Sequence, residues 1–281
     1  MPKVIDNMLK KTLLSIAILI NFPVSALELK GNLIQGGMVT GSLPNAQSVK
    51  LNDTELKLSK KGLFVFGFGR DAKLDHRLTW KDSDGSEHYQ SFIITKRDYK
   101  IDKIEGVAKK YVSPTKSVLA RTKNEAQAVR KARNVISNRL DFLKPVYRPA
   151  SGRISGVYGS QRYFNGTPKR PHFGLDIANK TGTQVYSPLP GKVVFANSDL
   201  YYSGGTLIID HGFGITSTYI HLSEVTAKLG QEINTGDKIA KIGATGRVTG
   251  PHLDWRLNWK QVRLDPELVM SHVSASKFTN K

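Results

Sequence analysis

The fold is decided by residues 230–257, which read GQEINTGDKIAKIGATGRVTGPHLDWRL. Glycines recur there between short apolar runs, a pattern typical of short strands joined by tight turns. The two strand candidates are Lys238–Ile242 and residues 253–257. His252 and Asp254 stand two positions apart, and side chains at that spacing lie on one face of a strand. We therefore expect β structure with a histidine and a carboxylate facing one pocket.

The same pattern extends outward over residues 146–270. Further strand candidates lie at 193–196, 206–209 and 217–220, again separated by glycine-rich turns. Long apolar stretches of helical period are missing from this region. These features predict an antiparallel β domain with little helix.

Two other motifs in this region carry metal-binding residue types. His172 and Asp176 are four apart in HFGLD, and His221 follows the strand candidate at 217–220. One histidine, one carboxylate and a further histidine or carboxylate form a normal protein shell for catalytic zinc. Each motif alone arises often by chance, so the signal is their occurrence in order within one β domain.

These segments resemble the lysostaphin/LytM-type zinc endopeptidases of bacterial cell walls. The resemblance runs through HFGLDIANKTGTQVYSPLPGKVVFA (172–196), GGTLIIDHGFGITSTYIHLS (204–223) and the opening stretch, whose glycine-spaced part at 230–246 is the most specific. Two segments nearer the N-terminus, GNLIQGGMVTG (31–41) and GLFVFGFGRDA (62–72), resemble the front domain of secreted Gram-negative members. The resemblance therefore covers most of the chain after residue 26.

The resemblance implies a groove over an antiparallel sheet, a zinc ion in the groove, and hydrolysis of peptide bonds in peptidoglycan stems or cross-links. Carried over position by position, it makes His172, Asp176 and Asp254 the metal ligands. It makes His221 and His252 catalytic residues that do not bind the metal. Asp254 departs from the family pattern, since a histidine usually stands at that position.

The departure at Asp254 leaves two functions open. Carboxylate oxygen binds zinc at about 2.0–2.2 Å, much as imidazole nitrogen does at about 2.0–2.1 Å. Two carboxylates would neutralise Zn²⁺ formally, so the site should acidify its water less and tolerate manganese or cobalt better. Because the other four site residues are intact, we expect an active zinc metalloendopeptidase. The alternative is a non-catalytic peptidoglycan-binding or amidase-activating module with a degenerate metal site.

The first 26 residues have the order of a secretory signal peptide. Three lysines precede the apolar stretch 12–22, and Val-Ser-Ala at 24–26 matches a small-residue cleavage site. An apolar stretch of that length is too short to span a bilayer of about 30 Å as a helix. We expect cleavage after Ala26, a periplasmic or secreted protein, and no transmembrane segment after cleavage.

Before the metal-binding region, the chain changes character twice. Residues 27–100 contain short strand candidates at 32–34, 47–51, 56–58, 63–66, 77–80 and 91–94, which predict a small N-terminal β-sandwich domain. Residues 101–145 are expected to be a linker and a basic helix, with the helical pattern at 113–144. This helix is either a solvated connector or a positively charged surface that binds an anionic polymer. The predicted order ends with a zinc endopeptidase domain at 146–270 and a polar tail at 271–281.

Composition restricts the partners of this chain. Its 281 residues include 42 Lys and Arg against 23 Asp and Glu, a formal net charge of +19. Such a charge favours an anionic partner. Export points to peptidoglycan and electrostatic association with the envelope, and argues against nucleic acid. The chain has no cysteine, which excludes disulfides, cysteine-ligated zinc and a lipoprotein anchor.

Overall fold

The computed structural model describes residues 27–106 and 115–270. The predicted signal peptide, residues 107–114 of the predicted linker and helical pattern, and the predicted polar tail lie outside these residues. The described part is mainly β with antiparallel sheets, which confirms the predicted fold class. No helix in the described ranges is both long enough and apolar enough to cross a membrane.

The N-terminal β region consists of two antiparallel sheets. One has the order β1-β2-β5 and the other β4-β3-β6-β7. Its strands are β1 Glu28–Gly31, β2 Met38–Ser42, β3 Ala46–Leu51, β4 Thr54–Leu56, β5 Leu63–Gly67, β6 Asp75–Asp82 and β7 Glu87–Ile93.

Three details of this region differ from the sequence prediction. The candidate at 56–58 overlaps β4 only at Leu56. The strand expected at 32–34 is absent: β1 ends at Gly31, and Ile34 makes only an isolated bridge to Thr95. Strand β2 was not predicted, because its glycine weakens the pattern of MVTGS. That glycine, Gly41, has a packing role, since a Cβ there would collide with the ring of Phe64.

Residues 101–104, predicted as linker, form strand β8 (Ile101–Ile104). This strand pairs in parallel with β10, which also pairs with β11. Parallel pairing joins residues far apart in sequence. The segment that leaves the N-terminal β region therefore belongs structurally to the later part of the chain.

The basic helix is shorter than the predicted pattern at 113–144. Helix α1 spans Lys116–Arg133, and the chain then forms only a 3₁₀ turn at Asp141–Leu143. The helix ends because the N–H of Asn134 bonds back to the carbonyls of Arg130 and Lys131. Most of α1 is exposed, as both interpretations of this helix require.

The remaining chain forms one large antiparallel sheet with the order β17-β14-β15-β16-β19-β12-β9, to which β13, β18 and β20 attach. All five strand candidates predicted in this region lie in strands. The elements are β9 Arg153–Gly156, β10 Gln161–Phe164, β11 Thr167–Pro168, β12 Leu175–Ala178, β13 Gln184–Tyr186, β14 Gly191–Leu200, β15 Gly204–Gly212, β16 Ile215–Val225, β17 Glu232–Ile233, β18 Lys238–Ile242, β19 His252–Trp259, β20 Val262–Leu264 and α2 Pro266–Val269.

Strands β16 and β19 connect two buried cores. Leu253 and Trp255 pack into the core of the large sheet. Farther along the same strands, Ile215 and Trp259 share a core with Phe66 and other side chains of the N-terminal β region. The N-terminal β region is thus packed against one end of β16 and β19. The predicted metal-binding residues lie toward the other end.

Candidate metal centre

Strand pairing brings the two predicted carboxylate ligands together. In the antiparallel pair of β12 and β19, Asp176 lies opposite Asp254. Directly opposite residues in such a pair project on the same face of the sheet. The remaining predicted ligand, His172, precedes β12 and is held by backbone hydrogen bonds in both directions with Gly159 and Ser160.

His172, Asp176 and Asp254 form a buried cluster whose potential ligand atoms all lie within 4.8 Å of one another. His172 Nε2 lies 3.1 Å from Asp176 Oδ1, and His172 Nδ1 lies 4.0 Å from Asp254 Oδ2. Nevertheless, both nitrogens of His172 and Asp176 Oδ1 lack a hydrogen-bond partner in the described part of the chain. Leaving a buried polar group unsatisfied costs about 1–3 kcal/mol. These atoms therefore fit a metal ion.

Each carboxylate of the cluster is also bound by an arginine. Arg162 lies 2.5 Å from Asp176 Oδ2. Arg256 binds both oxygens of Asp254, through Nε at 2.9 Å and a terminal nitrogen at 2.6 Å. Gly174 makes room for this pair, since a Cβ there would collide with Asp254 Oδ1 and with Arg256.

His172 and the two arginines keep both carboxylates ionised despite their burial. Burial alone would raise the pKa of Asp176, but His172 and Arg162 outweigh that effect and hold it below its usual value. Likewise, burial opposes ionisation of Asp254, while Arg256 and His172 hold its pKa well below the usual range. Ionised carboxylates are the form that binds a metal.

The two predicted catalytic histidines lie beside this cluster, with their ring centroids 4.9 Å apart. Nδ1 of His221 is 2.9 Å from the carbonyl of Thr245, and Nδ1 of His252 is 2.9 Å from the carbonyl of Gly250. Because a carbonyl can only accept, each Nδ1 must carry the proton. In the neutral rings, Nε2 is therefore free to accept. Nε2 of His252 lies 3.8 Å from Asp176 Oδ1.

His221 is held in an unusual state. Its backbone has φ of +66°, a left-handed conformation that few residues other than glycine adopt. Burial lowers the pKa of its imidazole to about 4, so the ring is neutral at pH 7. Backbone strain of this kind clusters at functional sites.

A cavity of about 430 Å³ opens beside the cluster. Asp176, His221 and His252 line it, and β8 forms part of its wall. Strand β8, which follows the N-terminal β region, thus contributes to the groove. Arg162 and Arg247 also line the cavity.

Sequence reasoning missed the arginines. Arg256 had a usable signal, because it stands two positions after Asp254 on the same strand and so shares its face. Arg162 had none, since its contact with Asp176 depends on how separate strands pack.

His211, predicted as a turn histidine at the groove rim, lies fully buried in β15. Its Nδ1 bonds to the carbonyl of Pro190 and its Nε2 to the hydroxyl of Ser217. Both ring nitrogens are satisfied by the protein, so His211 is a structural histidine. The prediction failed because β15 continues past residue 209.

Comparison with known proteins gives a consistent family. The model of peptidase family M23 matches residues 170–266. The chain is 40% identical over 106 residues to the peptidoglycan DD-endopeptidase ShyA of Vibrio cholerae, which covers 37% of this chain and 24% of that protein. It is 42% identical over 87 residues to ShyB of the same organism, covering 31% and 20%. The chain therefore matches only about a quarter of the length of these curated relatives.

A solved structure matches more of the chain. It is the crystal structure of a putative peptidase M23 from Pseudomonas aeruginosa, with a TM-score of 0.67 and 25% sequence identity. The match covers 85% of this chain and 95% of that one, so it includes much of the N-terminal β region. M23 peptidases are metallopeptidases, and His172, Asp176 and Asp254 are the candidate metal site here. Residues 170–266, which contain the candidate metal site, thus resemble peptidase family M23.

Proposed function

We propose that this protein is a zinc-dependent endopeptidase that hydrolyses peptide bonds in peptidoglycan stems or cross-links. The observation that carries the proposal is the buried cluster of His172, Asp176 and Asp254, whose histidine has no hydrogen-bond partner within the described ranges. The similarity to peptidoglycan DD-endopeptidases supports the substrate class.

In this proposal, His172, Asp176 and Asp254 hold the zinc. Bound there, zinc would supply Lewis acidity and make water a stronger acid. The chain's own contribution is proton handling by His221 and His252, whose Nδ1 atoms are fixed by backbone carbonyls. In each histidine, Nε2 is therefore the atom that accepts or returns a proton. The fixed tautomer removes the need to reorient the ring during the reaction.

One observation favours the non-catalytic alternative. Arg256 engages both oxygens of Asp254, which stands at the position of the expected third ligand. A carboxylate has about four lone-pair sites, so two contacts leave acceptor capacity. The arginine thus reduces the negative charge that Asp254 offers to a metal, but it leaves lone pairs on the carboxylate that can still bind the metal. This is why the proposal retains Asp254 in the shell.

The test is hydrolysis of isolated sacculi by the purified chain. We expect soluble peptide fragments with new amino termini, detected by mass spectrometry. A chelator should abolish their release, and added Zn²⁺ should restore it. The His252→Ala variant should keep its metal and lose at least about a hundredfold of the rate, in line with general acid–base catalysis. Binding to sacculi without new termini would instead establish the non-catalytic module.

We also propose export to the periplasm or the medium, with peptidoglycan as the anionic partner of the basic chain. The support is the signal-like order of residues 1–26 and the net charge of +19. Amino-terminal sequencing of the protein from the envelope should begin at Leu27. Association with sacculi should weaken as salt rises from 0.05 to about 0.5 M, because salt screens exposed charges. A Met1 terminus would contradict cleavage, and salt-insensitive association would contradict the electrostatic part.

A further inference from the structure

Arg247 is a cation in the groove that has no acidic partner among the described residues. It lines the cavity together with Asp176, His221 and His252. In the described ranges its guanidinium makes neither a salt bridge nor a hydrogen bond. The two buried carboxylates nearby are already paired with Arg162 and Arg256. Among the described residues, Arg247 is therefore the half-buried cation of this wall that no carboxylate neutralises, whereas Lys103 on the same wall is exposed.

Aromatic rings hold Arg247 in place. Its guanidinium carbon lies 5.1 Å from the ring centroid of Phe164 and 4.8 Å from that of Tyr202. The backbone is also fixed, because the Arg247 N–H donates to the carbonyl of Tyr202. Stacking on rings restricts a planar guanidinium without using its N–H donors. Ligand binding would therefore cost little conformational entropy of this side chain.

Two further arginines near Arg247 favour an anion, although Asp102 also lines the cavity. Burial and the nearby Arg256 and Arg162 lower the pKa of Arg247, yet the group stays a cation at neutral pH. A planar guanidinium offers two parallel N–H donors to a carboxylate. A peptide bound in the groove carries such a group at its carboxyl terminus or on an acidic side chain. A neutral amide at the same position would lose the charge assistance.

We propose that Arg247 is a specificity-determining residue that binds a free carboxylate of the peptide substrate in the groove. The inference rests on the proposed function for the identity of that substrate as a peptidoglycan peptide. The carboxylate contact itself is independent of hydrolysis, so it is measured as binding.

The probes are N-acetyl-D-alanyl-D-alanine and the same dipeptide with a C-terminal carboxamide. Nuclear magnetic resonance titrations of the full chain would give the dissociation constant of each. We expect the wild-type protein to bind the carboxylate at least about tenfold more tightly than the carboxamide, as a charge-assisted contact allows. In Arg247→Gln this preference should fall to less than about twofold, while affinity for the carboxamide changes little.

Two further variants separate the guanidinium from general charge. Arg247→Lys keeps the charge and loses the planar fork, so it should retain only part of the preference. Lys103→Gln removes an exposed cation that also lines the cavity and should leave the preference intact. Thermal unfolding would show that each variant is folded. Should Arg247→Gln unfold, the Arg247→Lys titration decides.

Two results would overturn the proposal. One is equal binding of both probes by the wild-type protein. The other is a preference that persists in Arg247→Gln, which would assign it to the metal cluster. Failure of the proposed function has a different signature, namely intact sacculi, and it does not alter the binding comparison. Carboxylate preference with intact sacculi would leave Arg247 as the recognition residue of a binding module.

Discussion

Two buried histidines in the same sheet region differ in how their ring nitrogens are satisfied. His211, in β15, bonds through both nitrogens, to the Pro190 carbonyl and the Ser217 hydroxyl. His172, beside β12, has no hydrogen-bond partner for either nitrogen among the described residues. Both side chains are almost fully buried. The difference teaches that burial alone does not single out a candidate ligand, whereas an unmet bonding requirement does.

The largest expected effect comes from removing each histidine in turn. His172→Ala should lose its bound metal and at least about a thousandfold of the hydrolytic rate, since the proposed shell then keeps only two ligands. His211→Gln should keep a full equivalent of metal and lose stability instead. Metal analysis by mass spectrometry and fragment release from sacculi measure both. A full equivalent of metal in His172→Ala would show that His172 is no more a metal ligand than His211 is.

A smaller effect is expected from the arginine that compensates Asp254. Arg256→Met leaves a buried carboxylate unpaired, so the metal-free protein should lose about 3–5 kcal/mol of unfolding free energy. Zinc should restore part of that loss, because it supplies positive charge at the same carboxylates. Urea unfolding with and without zinc measures this.

The matched control for Arg256 is Arg121→Met in α1. Arg121 pairs with Glu125 and Asp199 at the surface, where water and salt screen the charges, so this variant should lose far less stability. Equal losses in the two variants would show that Arg256 does not compensate a buried charge.

The smallest expected effect is a pH dependence of His211. Burial lowers its pKa to about 4 from 6.5. A lowered histidine pKa means that the unfolded chain takes up the proton first. The associated stability is therefore complete above pH 6.5 and is lost as the pH falls toward 4. The loss amounts to about 3 kcal/mol at most.

The measurement is urea unfolding of chelated protein between pH 7 and pH 4, comparing wild type with His211→Gln. The contribution of His221 is common to both proteins and cancels in the difference. The wild-type curve should fall more steeply below pH 6.5. Parallel curves would show that His211 is not buried as a neutral ring.

The sequence predicted most of the large sheet and the residues that meet in the cluster. Strand periodicity identified β16 and β19, and the spacing of His252 and Asp254 follows directly from the pleat. It could not reveal Arg162 beside Asp176, because that contact arises from the approach of separate strands. The sequence pattern also predicted too long a helix. The hydrogen bonds of Asn134 that end the helix do not affect the spacing of apolar residues.

The parallel pairing of β8 with β10 has a consequence for how this protein can be cut and recombined. The strand reaches the groove wall from the segment that follows the N-terminal β region, while its partner precedes the metal ligands. A fragment that starts at residue 146 would lack that wall. Chimaeras and truncations meant to preserve substrate preference should therefore start upstream of Ile101, so that they contain every strand that lines the groove.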